Sequence, residues 1–134
     1  MKVVDLFSGL GGFSAGAIAA GAEVILGVDH DPVPLKLWSA NVSGGRAVLS
    51  SLGSSGDAVS LPPPSPHLHV HASTPCTDLS PARGRSATPA DVASGVCMLR
   101  WALDLVLERG DYSWFLGNSR VCSPSTDRDT GLQV

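Results

Sequence analysis

Two short segments of this 134-residue chain carry residue types suited to group transfer. The first, Asp5-Leu-Phe-Ser-Gly-Leu-Gly-Gly-Phe13, reads as a strand running through a glycine-rich turn into a helix. Gly9, Gly11 and Gly12 let the backbone come close to a ligand, and the helix behind them offers free N–H groups. The second, Thr74-Pro75-Cys76, puts a thiol at the end of a later strand. A thiolate is a strong nucleophile when nearby positive charge lowers its pKa, and Arg83 and Arg85 lie close in sequence. Together the two segments point to a nucleoside cofactor held beside a nucleophile.

Asp29 strengthens that reading. It ends the second expected strand, roughly 20 residues after the glycines, where an acid can bind the hydroxyls of an adenosine ribose. NAD and S-adenosylmethionine both carry that ribose, and spacing does not choose between them. Ser14 takes the last glycine place of the G-x-G-x-x-G fingerprint, which weakens a pyrophosphate site. Each residue also has a plainer use. The glycines can form a tight turn without a ligand, Asp29 and Asp31 can cap a helix, and Cys76 can be a buried structural cysteine. Cys97 is assigned to packing, and Cys122 is given no role. His67, His69 and His71 share one strand face, which favours packing or solvation over a metal because no acid or cysteine completes a set. Tyr112, Trp114, Phe115 and Trp101 are expected in the core. At 5% of the chain, aromatics are too few for a base-stacking surface.

These groups need strands and helices to position them. Residues 2–7, 23–28, 67–73 and 112–116 read as strands, and residues 57–61 as a short one. Residues 47–49 make a poor strand candidate inside a Ser/Gly-rich stretch. Helices are expected over 13–20, 33–41 and 89–109. Gly21 and Gly110 close the first and last of these. Thr88-Pro89-Ala90-Asp91 is a strong helix start, with a capping threonine, proline at the first helical position and an acid three residues after the cap. Val92, Val96, Leu99, Leu103, Val106 and Leu107 give that helix an apolar face. Strand–helix alternation implies a parallel sheet with ligands at the carboxyl ends of its strands, where residues 7–12, Asp29, Asp57 and Cys76 all fall.

Composition limits the alternatives. A chain that is 43% hydrophobic and 16% charged can bury a core. A net charge of −3 argues against a free-standing nucleic-acid binder. Three widely spaced cysteines fit a reducing, intracellular compartment (the nucleus in a eukaryote) better than a disulfide framework. No apolar run approaches the roughly 20 residues of a membrane span.

The first segment, extended to Ser14, closely resembles the first motif of the cytosine-5 DNA methyltransferases. Val28-Asp-His-Asp31, followed by Asn41, resembles that family's second motif, Gly56-Asp57-Ala58 its third, and Ser73-Thr-Pro-Cys-Thr-Asp-Leu-Ser80 its catalytic motif. The resemblance implies an α/β, Rossmann-like S-adenosylmethionine-dependent methyltransferase fold, a parallel sheet flanked by helices. It implies cofactor contacts from Phe7, Gly9, Gly11, Gly12, Phe13 and Pro75. Asp29 would bind the ribose, His30 would pack on the adenine and Asp57 would contact the adenine amino group. Cys76 would attack C6 of a cytosine flipped out of double-stranded DNA, so that C5 takes the methyl group, with Ser80, Arg83 and Asn118 on the substrate side.

The resemblance also marks departures. Where the family carries Glu-Asn-Val, whose glutamate polarises the cytosine ring, this chain has Gly117-Asn118-Ser119. The family's later arginine-containing motif, target-recognition region and returning C-terminal segment have no counterpart here. Residues 1–116 are therefore read as the N-terminal part of an incomplete catalytic domain, and residues 117–134 as an irregular tail. A tRNA cytosine-5 methyltransferase, with RNA as substrate, and a catalytically silent regulator are the alternatives. An NAD-dependent oxidoreductase leaves Pro75-Cys76 unexplained.

Overall fold

The computed structural model describes residues 1–53, 59–76, 88–111 and 113–117. Five strands and three helices alternate. They are β1 (Lys2–Leu6), α1 (Gly12–Ala19), β2 (Glu23–Asp29), α2 (Pro32–Asn41), β3 (Arg46–Leu49), β4 (Leu68–Ser73), α3 (Pro89–Arg109) and β5 (Ser113–Gly117). All strand pairs are parallel, in the order β3-β2-β1-β4-β5. The chain steps outward from β1 to β3, then crosses back to place β4 on the other side of β1. This reversal makes the β1/β4 boundary the place where an open α/β sheet collects ligands.

Each sheet face has its own helices. On one side Val4, Leu6, Leu26, Val28, Leu68, Val70 and Ala72 meet Ala102 and Val106 of α3. On the other, Val3 and Val24 meet Leu35, Trp38 and Val42, with Ala17 of α1 alongside. Alternation along β1 therefore sends Asp5 to the α1/α2 side. A bulge helps set this register: Val3 pairs with Val24 but Val4 pairs with Leu26, leaving Ile25 as the extra residue.

Caps fix the helix limits as the sequence indicates. The Thr88 side chain accepts from Asp91 N while the Asp91 carboxylate accepts from Thr88 N, and Gly110 ends α3 at φ 67°. Asp31 caps α2 through Val33 N at 2.9 Å.

Four expectations need correction, and the apolar stripe of α3 gains a direction. Residues 46–49 do form a strand, because parallel pairing with residues 26–29 supplies the hydrogen bonds that their composition hides. Residues 59–61 form neither helix nor strand. The inward face of α3 is Gly95, Ala102 and Val106, while Val92, Val96, Leu103 and Leu107 are exposed. Helical spacing showed an apolar stripe without showing which way it faced. Trp101 packs against the core, but Trp114 and Phe115 on edge strand β5 are 40% and 56% exposed. Cys97 is also exposed rather than packed.

Candidate active site

The turn after β1 carries the tightest backbone geometry in the described chain. Phe7 sits at φ 59°, the sole described non-glycine residue in the left-handed region, and Gly9 and Gly11 follow at φ 51° and 91°. Such conformations persist where surrounding structure holds them. Here Ser8 N donates to Val28 O at 2.9 Å, and Gly11 N closes the turn on Ser8 O at 2.9 Å. The Phe7 ring meets Trp101 of α3 edge-on, at 6.1 Å between centroids.

Asp29 ends β2 beside this turn and is almost buried. Its Oδ2 accepts from Gly9 N at 2.7 Å and its Oδ1 from Asp31 N at 2.9 Å. The acid thus clamps the glycine turn to the β2 edge. His30 has Nδ1 at 3.3 Å from Asp29 Oδ1, with most of its side chain exposed.

A second network lies beneath the turn. Trp38 Nε1–H donates to Ser14 Oγ at 2.8 Å, and Ser14 donates to Asp5 Oδ2 at 2.5 Å. His71 Nδ1 lies 2.9 Å from Asp5 Oδ1. Tryptophan can only donate, so the hydroxyl hydrogen of Ser14 goes to the carboxylate, and the carboxylate accepts from His71 as well. Ser14 therefore stands in the third glycine place for a reason, as the link between α1, β1 and α2. Trp38 was not singled out from sequence. Its ring fills space left by glycines: a Cβ would come within 2.8 Å of it at Gly11 and 2.7 Å at Gly45, and would overlap it outright at Gly27. Glycines at 11, 27 and 45 around one buried indole are the signal, legible only with the fold known.

The histidines separate. His67 is exposed. His69 Nδ1 pairs with Ser113 Oγ at 2.8 Å, and burial, with a smaller push from His71, lowers its pKa below the usual 6.5. His71 is buried, stacked on Phe13 at 3.5 Å and 7°. Its partner acid, Asp5, was the one that strand alternation could not reveal. No group of metal-ligating side chains forms among the described residues.

Thr74, Pro75 and half-buried Cys76 follow β4 directly. Because β4 pairs with β1 (Leu6 opposite Ala72), the cysteine segment and the glycine turn leave the sheet side by side. Gly117 pairs with Ser73 on the far side of β4, at the same edge. Phe7, Gly9, Gly11, Gly12, Asp29, Pro75 and Cys76 thus emerge at one end of adjacent strands. Phe13 is placed differently: its ring stacks on His71 and borders a shallow apolar groove with Met1, Val3, Ala17, Ala20 and His69. Asp57, Ser80, Arg83, Asn118 and Cys122 lie outside the described residues.

The turn has room and unpaired groups for a ligand. A Cβ at Gly9 or Gly12 would meet nothing within 4 Å, so the backbone there faces open space. No side chain caps α1, which leaves its first N–H groups for a ligand. Ser8 Oγ is buried without a hydrogen-bond partner.

A profile of the C-5 cytosine-specific DNA methylases matches residues 1–92, well over half of the sequence. The chain belongs to that family. No curated protein matches this chain significantly. Among solved structures, it is similar to a protein of an E. coli prophage described as a DNA modification methyltransferase, at TM-score 0.60 and 18% identity over 90% of the chain. S. pombe Dnmt2 methyltransferase follows at TM-score 0.46 and 15% identity, covering 75% of this chain and 28% of its own. The chain spans about a third (32%) of the prophage protein's length. The five parallel strands with flanking helices are the Rossmann-like methyltransferase arrangement.

Proposed function

We propose that this chain is the cofactor-and-nucleophile part of a DNA cytosine-5 methyltransferase acting in a reducing compartment. The observation that carries the proposal is the pairing of β1 with β4, which opens the glycine turn and Cys76 at one sheet edge. S-adenosylmethionine would lie against Gly9, Gly11, Gly12, Asp29 and His30, where it supplies an electrophilic methyl group. Gly9 and Gly12 admit it by lacking side chains, and Asp29 keeps the turn in shape while presenting acceptor oxygens to a ribose. His30, largely exposed, offers a flat ring to the adenine.

Cys76 would add as thiolate to C6 of a cytosine drawn out of the duplex, placing negative charge on the ring and making C5 the nucleophilic carbon. Removal of the C5 proton and expulsion of Cys76 then restore the ring. Gly117, opposite Ser73 at the crevice edge, supplies no carboxyl group to stabilise the activated base.

The test is covalent capture. Duplex DNA containing 5-fluorocytosine, mixed with the chain and S-adenosylmethionine, should give an adduct that survives denaturing electrophoresis and vanishes in Cys76→Ser. Gly117→Glu should raise the rate of capture on the order of a hundredfold. An adduct that persists in Cys76→Ser would remove the nucleophile assignment, and capture of fluorocytosine RNA in preference to DNA would move the substrate to RNA.

A further inference from the structure

We propose that His71 is a positioning residue that locks the strand leading to Cys76 onto the cofactor turn through Asp5. The inference rests on the methyltransfer reading for its purpose, though not for its geometry. His71 lies five residues before Cys76, on the strand that ends in the nucleophile. Its Nδ1–H reaches the buried Asp5 carboxylate, whose other oxygen holds Ser14 in the first turn of α1. Asp5 therefore joins two parts that must stay in register if a methyl donor and a thiol are to face one substrate: the helix behind the glycine turn and the strand before Cys76. Trp38 continues the chain of donors into α2.

The ring of His71 is held as firmly as its nitrogen. Phe13, from the glycine segment itself, covers one face at 3.5 Å, and Phe115 of β5 runs parallel at 5.7 Å and 1°. An imidazole supplies both a flat ring for this stack and an N–H for the carboxylate. The geometry assigns the positioning to the N–H and leaves filling of space to the ring. Near-attack alignment of reacting groups is sensitive to shifts of about 1 Å, so a link of this kind matters even though it touches neither substrate nor cofactor.

Two substitutions split the roles. His71→Asn keeps an N–H for Asp5 and gives up the ring, whereas His71→Phe keeps the ring and gives up the N–H. The readout is the rate at which iodoacetamide alkylates Cys76, followed by peptide mass spectrometry well below the melting point of each variant. Release of the strand should expose the half-buried thiol. His71→Phe should raise the rate about tenfold, the scale of losing a hydrogen bond to a charged group, and His71→Asn should restore most of the wild-type rate.

Ser14→Ala, which leaves β4 chemically untouched, should raise Cys76 alkylation about threefold through Asp5, and it serves if His71→Phe does not fold. A silent His71→Phe with a damaging His71→Asn would overturn the proposal in favour of simple ring packing. An unchanged Cys76 rate in Ser14→Ala would overturn it as well. A wild-type chain that forms no adduct with fluorocytosine DNA would count against the methyltransfer reading alone, because the alkylation rates report the link directly.

Discussion

The two flanks of β1 are finished to different degrees. On the β2 side, Trp38 is fully buried, three glycines make room for its ring, and its N–H enters a network that ends on a buried carboxylate. On the β5 side, Trp114 and Phe115 stand out from an edge strand, and α3 turns Val92, Val96, Leu103 and Leu107 to the surface. Parallel strands are normally covered on both faces, and around Trp38 they are, whereas the aromatic side chains of β5 stand exposed, as Val33, Leu37 and Leu49 also do on the β2 flank. The β1–β3 half is tied together by the packing of Trp38 and the bonds of Ser14 and Asp5. The half beyond β4 presents apolar area that a folded domain usually hides.

The widest test of this contrast exchanges equivalent side chains. Trp38→Ala should cost about 4 kcal/mol in urea unfolding, since it empties a site that no neighbour can fill. Trp114→Ala should cost less than about 1 kcal/mol, as for an exposed position. Equal losses would erase the distinction. Asp5→Ala should come next, at about 2–3 kcal/mol, because it leaves His71 and Ser14 without their shared acceptor. Thr88→Ala should lower stability by about 1 kcal/mol through loss of the reciprocal cap, which shows that α3 is locally well built even where its outer face is bare.

Leu103→Glu sharpens the contrast from the other side. Stability in urea unfolding should move by less than about 0.5 kcal/mol, and a loss above about 2 kcal/mol would place Leu103 in the core instead. The smallest effect belongs to His69. Its folded pKa is lowered, so the unfolded chain takes up the proton first. Its contribution is whole above pH 6.5 and is lost as the pH falls through 6.5 toward the folded value. His69→Gln should flatten that part of a melting-temperature profile, and an unchanged slope would assign it to another group.

What the sequence showed and what it hid follow from the range of the interactions. The glycine turn, the Thr88–Asp91 cap and the strand before Cys76 are set by neighbouring residues, and local pattern reads them well. β3 was underrated because its bonds come from β2 rather than from its own composition. The apolar stripe of α3 had no direction in the sequence, because periodicity defines a face but not where it points; Val106 is buried while Val92, Val96, Leu103 and Leu107 are exposed. His71 read as one of three similar histidines until β1 brought Asp5 to it across 66 residues. Trp38 was overlooked for the same reason: its partners lie at 11, 14, 27 and 45, and no window along the chain contains them all.

The pairing of Lys2 with Leu68 also sets a timetable. A ribosome adding about 5–20 residues per second needs roughly 3–13 seconds to pass from Asp5 to its partner 66 residues later. During that interval β1 and β2 can already associate, yet the Asp5 carboxylate has no imidazole to meet. Until then that charge has Ser14 as a side-chain partner but not His71. The strand that completes the burial of that charge is the one that leads to Cys76, so the acid of β1 and the cysteine segment come to their places together.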